Sequence, residues 1–281
     1  MSFVVDHWSP VWPVLAIWVV LAGGYLAGGT RGRRAWAFQG GLLVAVFALV
    51  SPLAYWSGIF IWVRSIQDLL LAVVAPALVV LGLARRSPTA TLTAPWWLRA
   101  PVAVTIGFNL IWLGWHVPVL YDLGATNTAV RYVEFATYLA AGTLFWLQLF
   151  GSGRWAPVAP PMRRLGLLVG TVVADTILGM VLVFGSGLFY PVYRGAEHRV
   201  LTVVADQQVG GAVLWMGMLP PLIIASVALL LRWLDQDESD ELSRDLDRLT
   251  TQAAPAAGRM AWASSGRGAW LARSGDRRPT T

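Results

Sequence analysis

The 281 residues are 57% hydrophobic and 13% charged, whereas a soluble domain carries about 25% charge. The net charge is +6, all 21 basic residues are arginine, and there is no cysteine. Disulfides, thiolate metal sites and thiol redox chemistry are excluded, and the basic excess is assigned to loops beside anionic lipid, with no nucleic-acid partner expected.

A spanning helix needs ~20 mostly apolar residues. Such stretches are read at 11–29, 36–54, 64–83, 100–117, 129–150, 165–186 and 207–232. The expected fold is an all-α integral membrane protein, a bundle of seven transmembrane helices. Residues 1–10 form a short extracytoplasmic segment without a basic run, so the first stretch is expected to stay as a helix and not to be cleaved. Ser51-Pro52, Pro76, Pro118 and Gly185-Ser186-Gly187 punctuate the joints. Arg31, Arg33 and Arg34 fill the first loop, Arg85, Arg86 and Arg99 the third, and Arg154, Arg163 and Arg164 the fifth. The tail begins at Arg232 and holds seven more arginines. The other loops hold only Arg64 and Arg131, at helix starts, with Arg194 and Arg199. This alternation predicts the N-terminus outside and the C-terminus in the cytoplasm. After the membrane domain, 11–234, residues 235–252 read as an acidic cytoplasmic helix, polar nearly all round. Residues 253–281 are rich in Ala, Gly, Ser, Pro and Arg, cannot bury a core, and are expected to be disordered.

Ionisable groups in or beside a span are costly and mark candidate sites. Arg64, Gln67 and Asp68 open the third span from outside. His116 closes the fourth, with Tyr121 and Asp122 following. Arg131 and Glu134 open the fifth, and Asp206, Gln207 and Gln208 the seventh. Four helices thus present polar groups at one depth, which predicts a shared cluster. Arg64 and Asp68 are spaced i, i+4, and Arg131 and Glu134 i, i+3, so each pair can also close on itself as a local salt bridge. His116 is the only histidine near the cluster. Met180, Met216 and Met218 fit apolar packing at helical spacing better than metal ligation. Asp175 sits alone near the middle of the sixth span, where it reads either as a helix-bridging acid or as a proton relay. No GxSxG, HExxH or phosphate-binding loop is present, so no enzyme is expected.

Several segments together resemble the CtaG family of bacterial cytochrome c oxidase assembly factors. They are RRAWAFQGGLLVAVFALVSPLAYWSG at 33–58, SIQDLLLAVVAPALVVLG at 65–82, WHVPVLYD at 115–122, VRYVEFATYLAAGTLFW at 130–146, LFYPVY at 188–193 and ADQQVGGAVLWM at 205–216. The resemblance implies seven helices in the bacterial cell membrane, haem–copper oxidase subunits as partners, and a part in building a copper centre. It also shows departures. The family's third-helix pattern His-Met-x-Gln-His reads here Arg64-Ser65-Ile66-Gln67-Asp68, and its fifth-helix pattern His-x-x-Glu-His reads Arg131-Tyr132-Val133-Glu134-Phe135. His116 is the one metal ligand the resemblance retains, and two arginines in these places repel a cation. The implied role is a scaffold in oxidase maturation, with copper as a family cofactor that these residues do not favour. The alternatives are a copper or small-solute transporter and a structural membrane subunit.

Overall fold

The computed structural model describes residues 7–8, 11–83, 100–151, 159–195 and 201–274, with side chains as far as 249. Arg85, Arg86, Arg99, Arg154 and Arg199, which carry part of the orientation argument, lie outside the described residues, as do His198 and residues 275–281. All regular structure among the described residues is helical. The chain divides into two units, Met1–Leu230 and Leu231–Thr281.

Punctuating residues start the helices of the first unit. α1 (Trp12–Ala27) has a proline in its first turn and ends before Gly28 and Gly29. Gly29 and Gly32 have φ of +74° and +76°, a backbone region that glycine enters without strain. α2 (Arg33–Val50) follows Gly32. Ser51 then caps α3 (Pro52–Trp56), its hydroxyl accepting from the Leu53 N–H at 3.2 Å. α4 (Ile61–Leu69) continues through a looser turn, Leu70–Val74, into α5 (Ala75–Leu83). Pro76 within this run has no N–H to return to the Ala72 carbonyl. Gly142 packs directly on that carbonyl, where any Cβ would collide with the oxygen. α6 (Pro101–Trp115) and α7 (Pro118–Thr126) each begin on proline and meet at a bend of 69°. α8 (Thr128–Phe150) is capped by Asn127, whose side-chain oxygen accepts from the N–H groups of Ala129 and Val130. α9 (Pro161–Phe184) and α10 (Val203–Ser274) complete the order, with a short 3-10 turn at Pro191–Gly195 between them.

Among the described residues five helices are long and apolar enough to cross a membrane: α2, the Ile61–Leu83 run, α8, α9 and the Val203–Leu249 part of α10. A sixth crossing arises if α6 and α7 count as one bent span. Two of the seven stretches read from the sequence therefore form shorter straight helices than expected. The first stops at the glycine turn after Ala27, and the fourth stops at Trp115 because Pro118 starts a new direction. Within the first unit, α2 packs on α5, and α8 packs on α5, α6 and the Leu70–Val74 turn. Phe108 of α6 stacks on Phe145 of α8 at 4.6 Å between ring centroids, and Trp112 is fully buried in this core.

In the second unit the helix extends to Ser274. The disorder expected from Ala253 onward gives way to helix over 253–274. The expectation rested on a composition of Ala, Gly, Ser, Pro and Arg that buries no core, but six of the eleven residues from 253 to 263 are alanine, the strongest helix former.

Candidate functional site

A fully buried ion pair forms the centre of the candidate site. Arg64 of α4 and Glu134 of α8 both have no exposed side-chain surface, and Arg64 Nη2 donates to both carboxylate oxygens of Glu134 at 2.8 Å. Arg64 Nη1 donates to the Tyr121 carbonyl at 2.9 Å, and the guanidinium lies 3.7 Å from the centroid of the Tyr121 ring. The cation is thus answered by a carboxylate, a carbonyl and an aromatic face, which a planar guanidinium can engage together. Gly124 of α7 sits directly on this pair. A Cβ at Gly124 would lie 2.7 Å from Glu134 Oε2 and 2.9 Å from Arg64 Nη2, so only glycine lets α7 approach so closely.

Asp68 lies one turn below Arg64, fully buried, with neither oxygen hydrogen-bonded. Its Oδ2 faces His116 Nε2 at 3.9 Å. His116 Nδ1 lies 2.7 Å from the Trp112 carbonyl. A carbonyl only accepts, so Nδ1 carries the proton and Nε2 presents a lone pair in the neutral ring. Two acceptors therefore face one another across 3.9 Å, and Tyr121 and Tyr138 bring two further buried hydroxyls without partners. The arrangement can accept a proton or a group that donates two hydrogen bonds.

Tyrosines seal the site. Tyr190 donates to the His116 carbonyl at 3.0 Å, and Tyr193 donates to the Ser57 carbonyl at 2.9 Å. Tyr121 and Tyr190 stack at 3.8 Å. Burial pushes the Tyr190 hydroxyl above its ordinary pKa, so it remains a neutral donor. Gln207 holds the loop that carries these tyrosines, its Oε1 accepting from Phe189 N–H at 2.7 Å and its Nε2 donating to the Gly187 carbonyl at 3.1 Å.

The local pairs suggested by spacing are not the pairs that form. Arg64 reaches across to Glu134 and not to Asp68, because Glu134 lies opposite it on α8. Arg131 is half-buried and turns to Ser57 Oγ and to Gln67 Oε1, while Gln67 Nε2 donates to the Ala48 carbonyl at 2.6 Å. Asp206 accepts from the N–H groups of Ile61 and Trp62 at 3.0 and 3.2 Å, so it caps α4 from α10. Asp122 is half-buried on α7 and bonds to the Val192 backbone. Gln208 is half-buried and takes no part in these bonds. Asp175 is separate, accepting from Trp112 Nε1 at 3.1 Å between α9 and α6. Sequence reasoning missed Ser57, Trp112, Tyr138, Tyr190 and Tyr193 as site residues, and also Arg164, whose buried Nη1 donates to the Leu149 carbonyl. Tyr190 and Tyr193 stood in LFYPVY and Tyr138 in VRYVEFATYLAAGTLFW, segments legible only as a resemblance.

A sequence model described as "Cytochrome c oxidase caa3 assembly factor (Caa3_CtaG)" matches residues 14–236. The chain belongs to this family. An uncharacterized protein of Mycobacterium leprae is 28% identical over 269 residues, covering 84% of this chain and 40% of its own length. Uncharacterized proteins of Mycobacterium bovis and Mycobacterium tuberculosis are each 28% identical over 251 residues, covering 78% of this chain and 38% of their own. The chain thus spans about two fifths of the curated relatives it matches. No solved structure matches it.

The family's chemistry raises the question of copper, and the residues of this site do not fit it. The donors facing one another are one imidazole nitrogen and one carboxylate, with Arg64 alongside and no thiol in the chain. Among the described residues no group of three His, Cys, Asp or Glu side chains is placed to hold a metal. A tight copper site gathers several soft or imidazole ligands.

Proposed function

We propose that this chain serves the maturation of a haem–copper oxidase as a membrane-embedded scaffold that engages oxidase subunits, without donating copper and without enzymatic activity. Family membership supports the first part. The observation that carries the absence of copper donation is the Arg64–Glu134 pair, which puts a guanidinium, with no lone pair to give a metal, where the family pattern has a histidine. In this reading residues 11–234 form the seven-span domain in the bacterial cell membrane, with the N-terminus outside, and Arg64, Asp68, His116, Arg131, Glu134 and Asp206 tie its outer end together. Residues 235–252 lie in the cytoplasm.

Deleting the gene should lower the amount of assembled oxidase, and the wild-type chain should restore it. The His116→Ala variant should leave the copper content of the purified protein unchanged. The scaffold reading is wrong if the protein holds one copper per chain through dialysis against a chelator and His116→Ala abolishes that copper.

A further inference from the structure

Seven of the chain's fifteen acidic residues fall in one short stretch: Asp235, Asp237, Glu238, Asp240, Glu241, Asp245 and Asp247. Arg244 and Arg248 leave a net charge of −5 (seven acids against two arginines). From this helix Leu242, Leu246 and Leu249 stand out at 62%, 54% and 61% exposure. With ~3.6 residues per turn they lie within roughly 60° of one another, on one stripe. By the same count Glu238, Glu241 and Asp245 run along one edge of the stripe, where Arg248 Nη1 donates to Asp245 Oδ1 at 3.1 Å, and Ser239 and Ser243 run along the other. Both serine hydroxyls turn back onto their own helix, donating to the carbonyls of Asp235 and Ser239 at 2.7 and 2.8 Å. The stripe therefore has one edge rich in carboxylates and one lined by serines, and Asp235 stands on the line of the leucines at its N-terminal end.

Three leucines in line on an exposed, acidic helix form an apolar stripe that a partner helix can cover. A second copy is disfavoured, because it brings another −5 against the first, and antiparallel pairing sets the two acidic edges face to face. An anionic lipid surface is disfavoured for the same reason of charge. Charge complementarity points to an amphipathic helix with an apolar stripe and a Lys/Arg-rich edge. We infer that residues 235–249 are a docking helix for a basic amphipathic helix of a partner protein. The inference does not rest on the oxidase reading.

The test uses the full chain in nanodiscs of neutral lipid. The probe is a fluorescent peptide with leucines on one helical face and arginines along one edge. A control peptide carries glutamate in place of arginine. Fluorescence anisotropy should show binding of the arginine peptide only, weakening as salt is added. The double variant Leu242→Ser, Leu246→Ser should bind about tenfold more weakly, as expected for losing part of an apolar contact. The triple variant Glu238→Lys, Glu241→Lys, Asp245→Lys should transfer the preference to the glutamate peptide. All five positions are exposed, so the fold is retained. Equal binding of both peptides, or unchanged affinity in the leucine variant, overturns the inference. So does a dimer of the full chain in sedimentation that the leucine variant abolishes, since the stripe would then be a self-association surface.

Discussion

Arg64 and Asp68 stand one turn apart on α4, yet only Arg64 has its charge answered at contact distance. The difference sets what each substitution costs. Glu134→Gln leaves Arg64 charged, buried and without its anion, and should destabilise the protein by about 3–5 kcal/mol. The double change Arg64→Leu, Glu134→Leu removes both charges and should cost far less, because the desolvation of the pair is removed with its attraction. Thermal unfolding in one detergent, read for the wild type, the single variant and the double variant, checks this ordering. A double variant as unstable as the single one would show that the pair is not the source of the cost. That polar residues gather near predicted span ends was legible. Which carboxylate met which arginine was not. Spacing along one helix reports neighbours on that helix only, and the Arg64–Glu134 bond depends on how α4 and α8 face one another.

α7 shows what an element can do when its sequence lacks bulk at one position. Its buried face is Tyr121 and Gly124, one supplying a ring and a carbonyl to Arg64 and the other supplying room. Gly124→Leu places a side chain where Arg64 and Glu134 meet, so α7 must lift from the site. Ser57, fully buried beneath the tyrosine contacts, reports the outcome. A single cysteine at Ser57 in this cysteine-free chain should resist a membrane-impermeant maleimide, and the added Gly124→Leu change should open it to labelling. Equal protection in both backgrounds would mean that α7 does not cover the site. Residues 118–126 fall between the fourth and fifth stretches read from the sequence, where only Pro118, Tyr121 and Asp122 stand out. The segment is a helix nonetheless, since Pro118 is preset for a first helical turn and Asn127 starts the next helix.

For the whole molecule, the proposed orientation rests on arginines in alternate loops. Reporter fusions at residue 158 and after residue 240 should both report cytoplasm, and a periplasmic signal at either would break the scheme. Five of the apolar stretches form helices long enough to cross, and they were legible because the length and composition of a crossing are set by the bilayer. The break at residues 116–117 was legible as well, from His116 and Pro118 at the end of the fourth stretch, whereas the 69° turn that follows it was not. That bend has a consequence for the lipid. A helix of 15 residues such as α6 rises roughly 22 Å, against ~30 Å of hydrocarbon. Were α6 to cross without α7, a bilayer matched to both its ends would be thinner beside it than elsewhere around the protein. The hydrophobic mismatch would draw one leaflet down toward His116 and α7, giving the sealed site a dimple in the membrane above it.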